Sequence, residues 1–283
     1  MNQLSYRIQR AVTSAVGEAR HNKIVACWSI AAFNSGDLIT PLLLRHYGFT
    51  PVHCYPNDQQ AMLFSCGSLM EKVPYDFPGF VIGTGFMHAG STRKYLRARI
   101  LAVRGELTRD HIAGLPKDII LGDPGLLMPI LMPKKEQKRF TLGVIPHYID
   151  KKDEGIKKFC RRYKKEVRLI DIQQPPLKVV KDVDECEFIL SSSLHGLVFA
   201  DSLGIPNVWT ILSDKVSGKG FKFQDYNSAL KKEQFPMQFT GEEKLSDIIA
   251  STCLPSRQLV VEKSQALEAA FRQFKDEAGP NRG

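Results

Sequence analysis

The sequence predicts an α/β protein built as two successive halves, each a parallel sheet with helices on both faces. Three observations predict it. Short apolar runs alternate with helical patterns along the whole chain. The alternation stops at a polar, proline-containing stretch, residues 132–138 (MPKKEQK), and then restarts. Finally, 283 residues with 43% hydrophobic side chains are too many for one small core and enough for two ordinary ones.

In the first half, residues 23–29 read as a strand, followed by the turn Asn34-Ser35-Gly36-Asp37 and a helix that runs to about residue 47. Residues 52–54, 61–64, 80–83 and 100–103 read as strands. Gly105 then allows a turn, Glu106 opens a short helix, and residues 118–121 are another strand-like run. In the second half, residues 140–145, 167–170, 188–190 and 207–210 read as strands, alternating with helices over 151–163, 177–184 and 194–203. Helices near 242–250 and 262–274 close the pattern. The units are 1–131 and 139–256, with 257–283 a helix free to fold back on the first half and a tail that frays at 279–283.

Lys and Arg number 39 against 30 Asp and Glu, a net charge of +9 and a pI near 9.2. Such an excess draws anions, whether phosphorylated metabolites or an anionic lipid surface. The densest basic run, residues 151–165, has helical spacing with Ile156 and Phe159 turned inward, and reads as a solvated face. No basic stretch is interleaved with stacking aromatics, which argues against nucleic acid. The six cysteines form no CxxC pair, and several sit in apolar runs, which suits a reducing compartment. Residues 1–20 lack an apolar signal core, and no apolar run approaches the ~20 residues of a membrane helix. The expectation is a cytoplasmic protein, with room for peripheral contact at the cytoplasmic face of a membrane.

In parallel sheets, ligands bind beyond the carboxyl ends of the strands, so the loops there are where chemistry is expected. Asn34-Ser35-Gly36-Asp37 is either a plain strand–helix connection or a site loop in which Asn34 and Gly36 meet a sugar and Asp37 acts as base. Gly83-Thr84-Gly85 is either an ordinary turn or a place where a ligand approaches the backbone, with Thr84 as the contact. Arg104, at a strand end, either forks onto a carboxylate or phosphate or pairs with a nearby acid such as Glu106. The strongest signal is Ser191-Ser192-Ser193-Leu194-His195-Gly196, a strand end leading into the first turn of an apolar helix stopped by Gly204 and Pro206. His195 there is a candidate acid, and Ser192, Ser193 and Leu194 offer donors to an anion. His147 follows another strand. Lys219 and Lys222 lie in SGKGFKFQDY, read as a basic, mobile loop. No metal-ligand spacing is apparent.

In order along the chain, NSGD, VRGELT, LGDPGLLMP, GVIPHY, SSSLHGLVFADSLGIPNV and FKFQDY resemble motifs of the polysaccharide pyruvyl transferase family, and in particular its exopolysaccharide branch. The resemblance spans about residues 24–230. It implies a glycosyltransferase-B-like fold of two Rossmann-like domains with a cleft between them, the first binding acceptor and the second donor. It implies phosphoenolpyruvate as donor and a glycan or lipid-linked oligosaccharide as acceptor, with a pyruvate ketal as product and no cofactor. It places the general acid on His195 and donor binding on Arg104. Some family members carry an arginine two residues before that histidine. Here the position is Ser193, so His147, Lys219 and Lys222 are the candidates to meet the phosphate charge. The rival reading is a glycosyltransferase of the same fold with a nucleotide-sugar donor.

Overall fold

The computed structural model describes residues 3–132 and 134–279. Pro133 of the expected linker and residues 280–283 of the expected tail lie outside the described residues. The chain opens with helix α1 (Gln3–Ala19), which the sequence reading left unassigned. Strands β1 (Lys23–Cys27), β2 (Thr50–Cys54), β3 (Leu63–Phe64), β4 (Phe80–Ile82), β5 (Arg99–Val103) and β6 (Ile120–Leu121) form a parallel sheet in the order β2-β1-β3-β4-β5-β6. Helices α2 (Ile39–His46) and α3 (Glu106–Asp110) lie between them, and a 3-10 segment, Pro124–Leu131, follows β6.

The second sheet holds β7 (Phe140–Ile145), β8 (Val167–Leu169), β9 (Cys186–Ser191), β10 (Asn207–Ile211) and β11 (Met237–Gln238), parallel in the order β11-β10-β9-β7-β8. Its helices are α4 (Glu154–Arg162), α5 (Pro176–Asp184), α6 (Leu194–Leu203), α7 (Phe221–Ala229) and α8 (Leu245–Ala250), and α9 (Arg257–Ala278) ends the described chain. Two mixed helix–sheet units with parallel strands are what the alternation predicts.

Patterning explains most of the helices. On α4, Ile156 and Phe159 are buried as the spacing predicts, while Lys157 pairs with Glu154, and Lys158 and Arg162 pair with Glu242. The basic run is therefore a solvated, ion-paired face. Helix α6 is buried on every side, because it fills the space between the second sheet and the 3-10 segment of the first half. Leu194, Leu197, Val198 and Phe199 are all buried there, each stabilising the fold by about 1.5–3 kcal/mol relative to exposure. Gly204, in the left-handed region, ends the helix. Helix α9 returns to the first sheet, where Phe271 stacks on Tyr47 at 5.4 Å and Phe274 meets Phe80 edge-on at 5.1 Å.

The stretch expected to be a mobile loop is not one throughout. From Phe221 it is helix α7, with Phe221, Lys222, Phe223, Asp225 and Tyr226 buried. The helix is pinned on two sides. Tyr226 donates its hydroxyl to Asp201 of α6 at 3.0 Å. Asp225 reaches the first half, accepting from the Thr108 N–H (2.7 Å), the Thr108 hydroxyl (2.7 Å) and the Arg104 guanidinium (2.8 Å). Gly105 permits this approach, since a Cβ there would sit 1.7 Å from the Asp225 carbonyl oxygen.

Candidate active site

Each sheet reverses its strand order once, between β1 and β3 in the first and between β7 and β9 in the second. Neighbouring loops diverge at such points and leave a crevice at the strands' carboxyl ends. The loops leaving these four strands line one cavity of about 160 Å³. Asn34 and Asp37 come from the loop after β1, Gly67 and Ser68 from that after β3, His147 and Tyr148 from that after β7, and Ser193, Leu194 and His195 from that after β9. Lys222 enters from the first turn of α7.

The β1 loop is held across the two sheets. Ser35 donates its backbone N–H to the Ile172 carbonyl at 2.9 Å and its hydroxyl to the Gln174 carbonyl, and Gln173 reaches back to the Ala32 carbonyl at 2.6 Å. Asn34 caps its own turn by accepting from the Gly36 N–H at 3.0 Å. Gly36 then lies against the His195 ring so closely that a Cβ would fall 1.8 Å from Nδ1. A hydrogen is all that this contact tolerates.

On its other side, His195 Nε2 lies 3.2 Å from the Cys66 thiol and 3.7 Å from the Asp123 carboxylate. The Cys66 thiol also reaches Asp123 Oδ1 at 3.4 Å, and the Gly125 N–H donates to the same oxygen at 2.8 Å. Asp123 is fully buried, and its Oδ2 has no hydrogen-bond partner. Burial holds His195 below the usual imidazole range; Asp123 opposes this, while Lys222 and Arg104 add to it. Burial, with the Asp123 carboxylate beside it, holds the Cys66 thiol well above its usual range. A thiol, a carboxylate and an imidazole nitrogen thus gather within 4.8 Å, a cluster the sequence reading did not foresee. The sequence separates them by 57 and 72 residues. Only the LGDPG motif around Asp123 hinted at a role.

Across the cavity, burial raises Asp37 to about 7 against the pull of Lys222 and Lys72, with Asp123 adding to the rise. Lys222 is pushed down to about 8 by burial and by Arg104, with Asp37 opposing. His147 falls to about 4 through burial and Lys222, so it meets an anion at neutral pH as a neutral hydrogen-bonding group.

Other expected residues are placed differently. Arg104 is fully buried and does not line the cavity. Its partner is Asp225 rather than Glu106, and it also donates to the Ser68 hydroxyl at 2.7 Å and to the Phe86 carbonyl. Thr84 is fully buried, donating to the Gly67 carbonyl at 2.8 Å and accepting from the Leu69 N–H at 3.0 Å, so it braces the loop after β3. Ser192 accepts from the His147 N–H at 2.8 Å and ties together the loops after β7 and β9. Lys219 is exposed and lines, with Ser192, a separate cavity of about 370 Å³ beside β10.

If Asp37 works as a base and Lys222 as a cation, activity on the free enzyme needs Asp37 ionised and Lys222 protonated. The expected profile of kcat/KM is a narrow bell that rises through pH ~7 and falls above pH ~8, with the acid limb lost in Asp37→Asn.

The chain is 33% identical over 166 residues to the Uncharacterized protein L143 of Acanthamoeba polyphaga mimivirus, a match that covers 55% of this chain and 56% of that one, so the chain spans about half the length of the curated relative it matches. Residues 49–213 match the family model described as polysaccharide pyruvyl transferase. That stretch carries β2 through β10, including Cys66, Arg104, Asp123, His147 and the serine–histidine turn, and the chain belongs to the polysaccharide pyruvyl transferase family.

Proposed function

We propose that the protein transfers a pyruvyl group from phosphoenolpyruvate to two hydroxyls of a sugar in a glycan or lipid-linked oligosaccharide. The observation that carries this reading is the pairing, in one cavity, of a histidine set against a buried carboxylate with a lysine–aspartate pair a few side chains away. The arrangement of the two sheets fits a glycosyltransferase-B-like fold, with the acceptor on the first and the donor on the second.

Phosphoenolpyruvate is anionic at both ends. Lys222, the Ser193 hydroxyl and the N–H groups at the start of α6 supply donors for it, and the buried Arg104 keeps that end of the cavity positive from behind. His195, once charged by the approaching anion, gives its proton to the methylene carbon. The enol carbon becomes an oxocarbenium-like centre, and a sugar hydroxyl attacks it while Asp37 takes the hydroxyl proton. The C–O bond to phosphate then breaks, phosphate leaves with that electron pair, and a second hydroxyl closes the ketal and releases its own proton. Asp123, 3.7 Å from Nε2, acts as a positioning residue that stabilises the imidazolium.

The test is incubation with phosphoenolpyruvate and a panel of glycosides and lipid-linked oligosaccharides, reading phosphate release and acceptor mass. The expected result is a pyruvyl mass gain with one phosphate released, reduced by at least about 100-fold in His195→Ala. Thermal stabilisation by a nucleotide sugar but not by phosphoenolpyruvate would overturn the reading in favour of a glycosyltransferase.

A further inference from the structure

Helix α1 is turned inside out relative to an ordinary surface helix. The side it sets against the first sheet is polar or small. Tyr6 hydrogen-bonds the His53 ring at 2.7 Å, Arg10 donates to the His53 carbonyl at 2.9 Å and pairs with Asp58 at 2.6 Å, and Gly17 is buried against Lys23. The opposite side is apolar and open to solvent. Leu4 is 67% exposed, Ile8 56%, Val12 59% and Val16 39%, an unbroken i, i+4 ridge flanked by exposed Ala11, Ala15 and Ala19. An amphipathic helix normally buries such a stripe. This one presents it over about 18 Å of helix.

We propose that α1 lies flat on an anionic lipid surface, with the Leu4–Ile8–Val12–Val16 ridge in the acyl boundary and its cations among the headgroups. Charge selects lipid over a second copy of the chain. Within residues 3–23, Arg10 pairs with Asp58 and Lys23 with Glu18, while Arg7 and Arg20 are exposed, and each copy has a net charge of +9, so two copies repel where an anionic membrane attracts. Among the described residues no helix is long and apolar enough to cross a membrane, so the contact is peripheral. Tyr55, exposed and with its ring centroid 5.6 Å from that of Tyr6, stands beside the first turns of α1 with the amphipathic character that suits a headgroup layer. It follows the last residue of β2, at the end of the sheet from which the cavity loops depart. A helix docked this way holds the cavity near the bilayer, within reach of a sugar carried on a lipid. That last consequence rests on the transferase reading; the docking itself does not.

The experiment is sedimentation of the full chain with vesicles of phosphatidylcholine alone and of phosphatidylcholine with phosphatidylglycerol, with no acceptor present, for the wild type and for Ile8→Glu/Val12→Glu. Both changed side chains are solvent-facing, and circular dichroism checks that the variant is folded. The expected result is binding to the anionic vesicles only, weakened by salt and reduced at least about tenfold in the variant. Turnover of a soluble acceptor should stay unchanged. A wild type that ignores anionic vesicles, or a variant that binds them equally, overturns the proposal. A wild-type dimer that the variant converts to monomer, without lipid binding, assigns the ridge to self-association instead.

Discussion

An Asp225→Asn variant is expected to lose about 3–5 kcal/mol of unfolding free energy. Asp225 and Arg104 are both fully buried, and the carboxylate accepts three hydrogen bonds from the first half of the chain. Removing its charge leaves a guanidinium in a dry interior with the Ser68 hydroxyl and a carbonyl as its other partners. The urea midpoint should fall with little change in slope. Replacing both partners, as Arg104→Met/Asp225→Leu, should recover much of the stability, because no uncompensated charge remains. Activity should stay lost in both, for a reason separate from stability: Lys222 is one turn before Asp225 on α7 and depends on that anchor to reach the cavity. A single variant as stable as the wild type would show that the pair does not hold α7.

Gly36→Ala is expected to abolish measurable transfer while leaving a folded protein. The added methyl would fall 1.8 Å from His195 Nδ1 and 2.2 Å from Cγ, so either the ring or the loop must move. The loop is strapped through Ser35 to the segment after β8, and the ring is hemmed in by Cys66, so neither yields cheaply. The expected cost in stability is about 1–3 kcal/mol, as for overpacking elsewhere. The effect on turnover is larger, at least about 100-fold, because a displacement of about 1 Å at a proton donor is enough. Phosphoenolpyruvate binding, followed by thermal shift, should survive, since Lys222 and Ser193 are untouched. Full activity in this variant would remove His195 from the reaction.

How much of this was legible depends on whether local pattern or distant contact decides each element. Strand β7 and helix α6 match the sequence reading at both ends, because apolar runs and a Gly–Pro stop set them locally. Helix α7 was invisible, since Gly218, Gly220 and a mixture of aromatic and charged residues carry no helical signal. It exists because Asp225 and Tyr226 find partners on two other elements. Arg104 was noticed, but its partner lies 121 residues away and spacing offered only Glu106. Cys66 carries no local signal that sets it apart from the other cysteines, and its place beside His195 is fixed by contacts across the two halves. The i, i+4 ridge on α1 is legible in the sequence, but such a stripe ordinarily marks a buried face, so its exposure is not. Strand order, which places the four site loops together, has no local signature.

The return of α9 to the first sheet has a consequence for how the protein is made. Tyr47, Phe49 and Phe80 all rest against Phe271 or Phe274. While the chain is being synthesised, the aromatic face of the first sheet has no cover until residues 257–278 have left the ribosome, after the whole second half has emerged. A nascent chain stalled before that point, or a fragment cut between α8 and α9, carries a bare aromatic surface in an otherwise finished fold. Such chains are natural clients for chaperones and proteases, because the helix that seals the first sheet is made only after the second sheet.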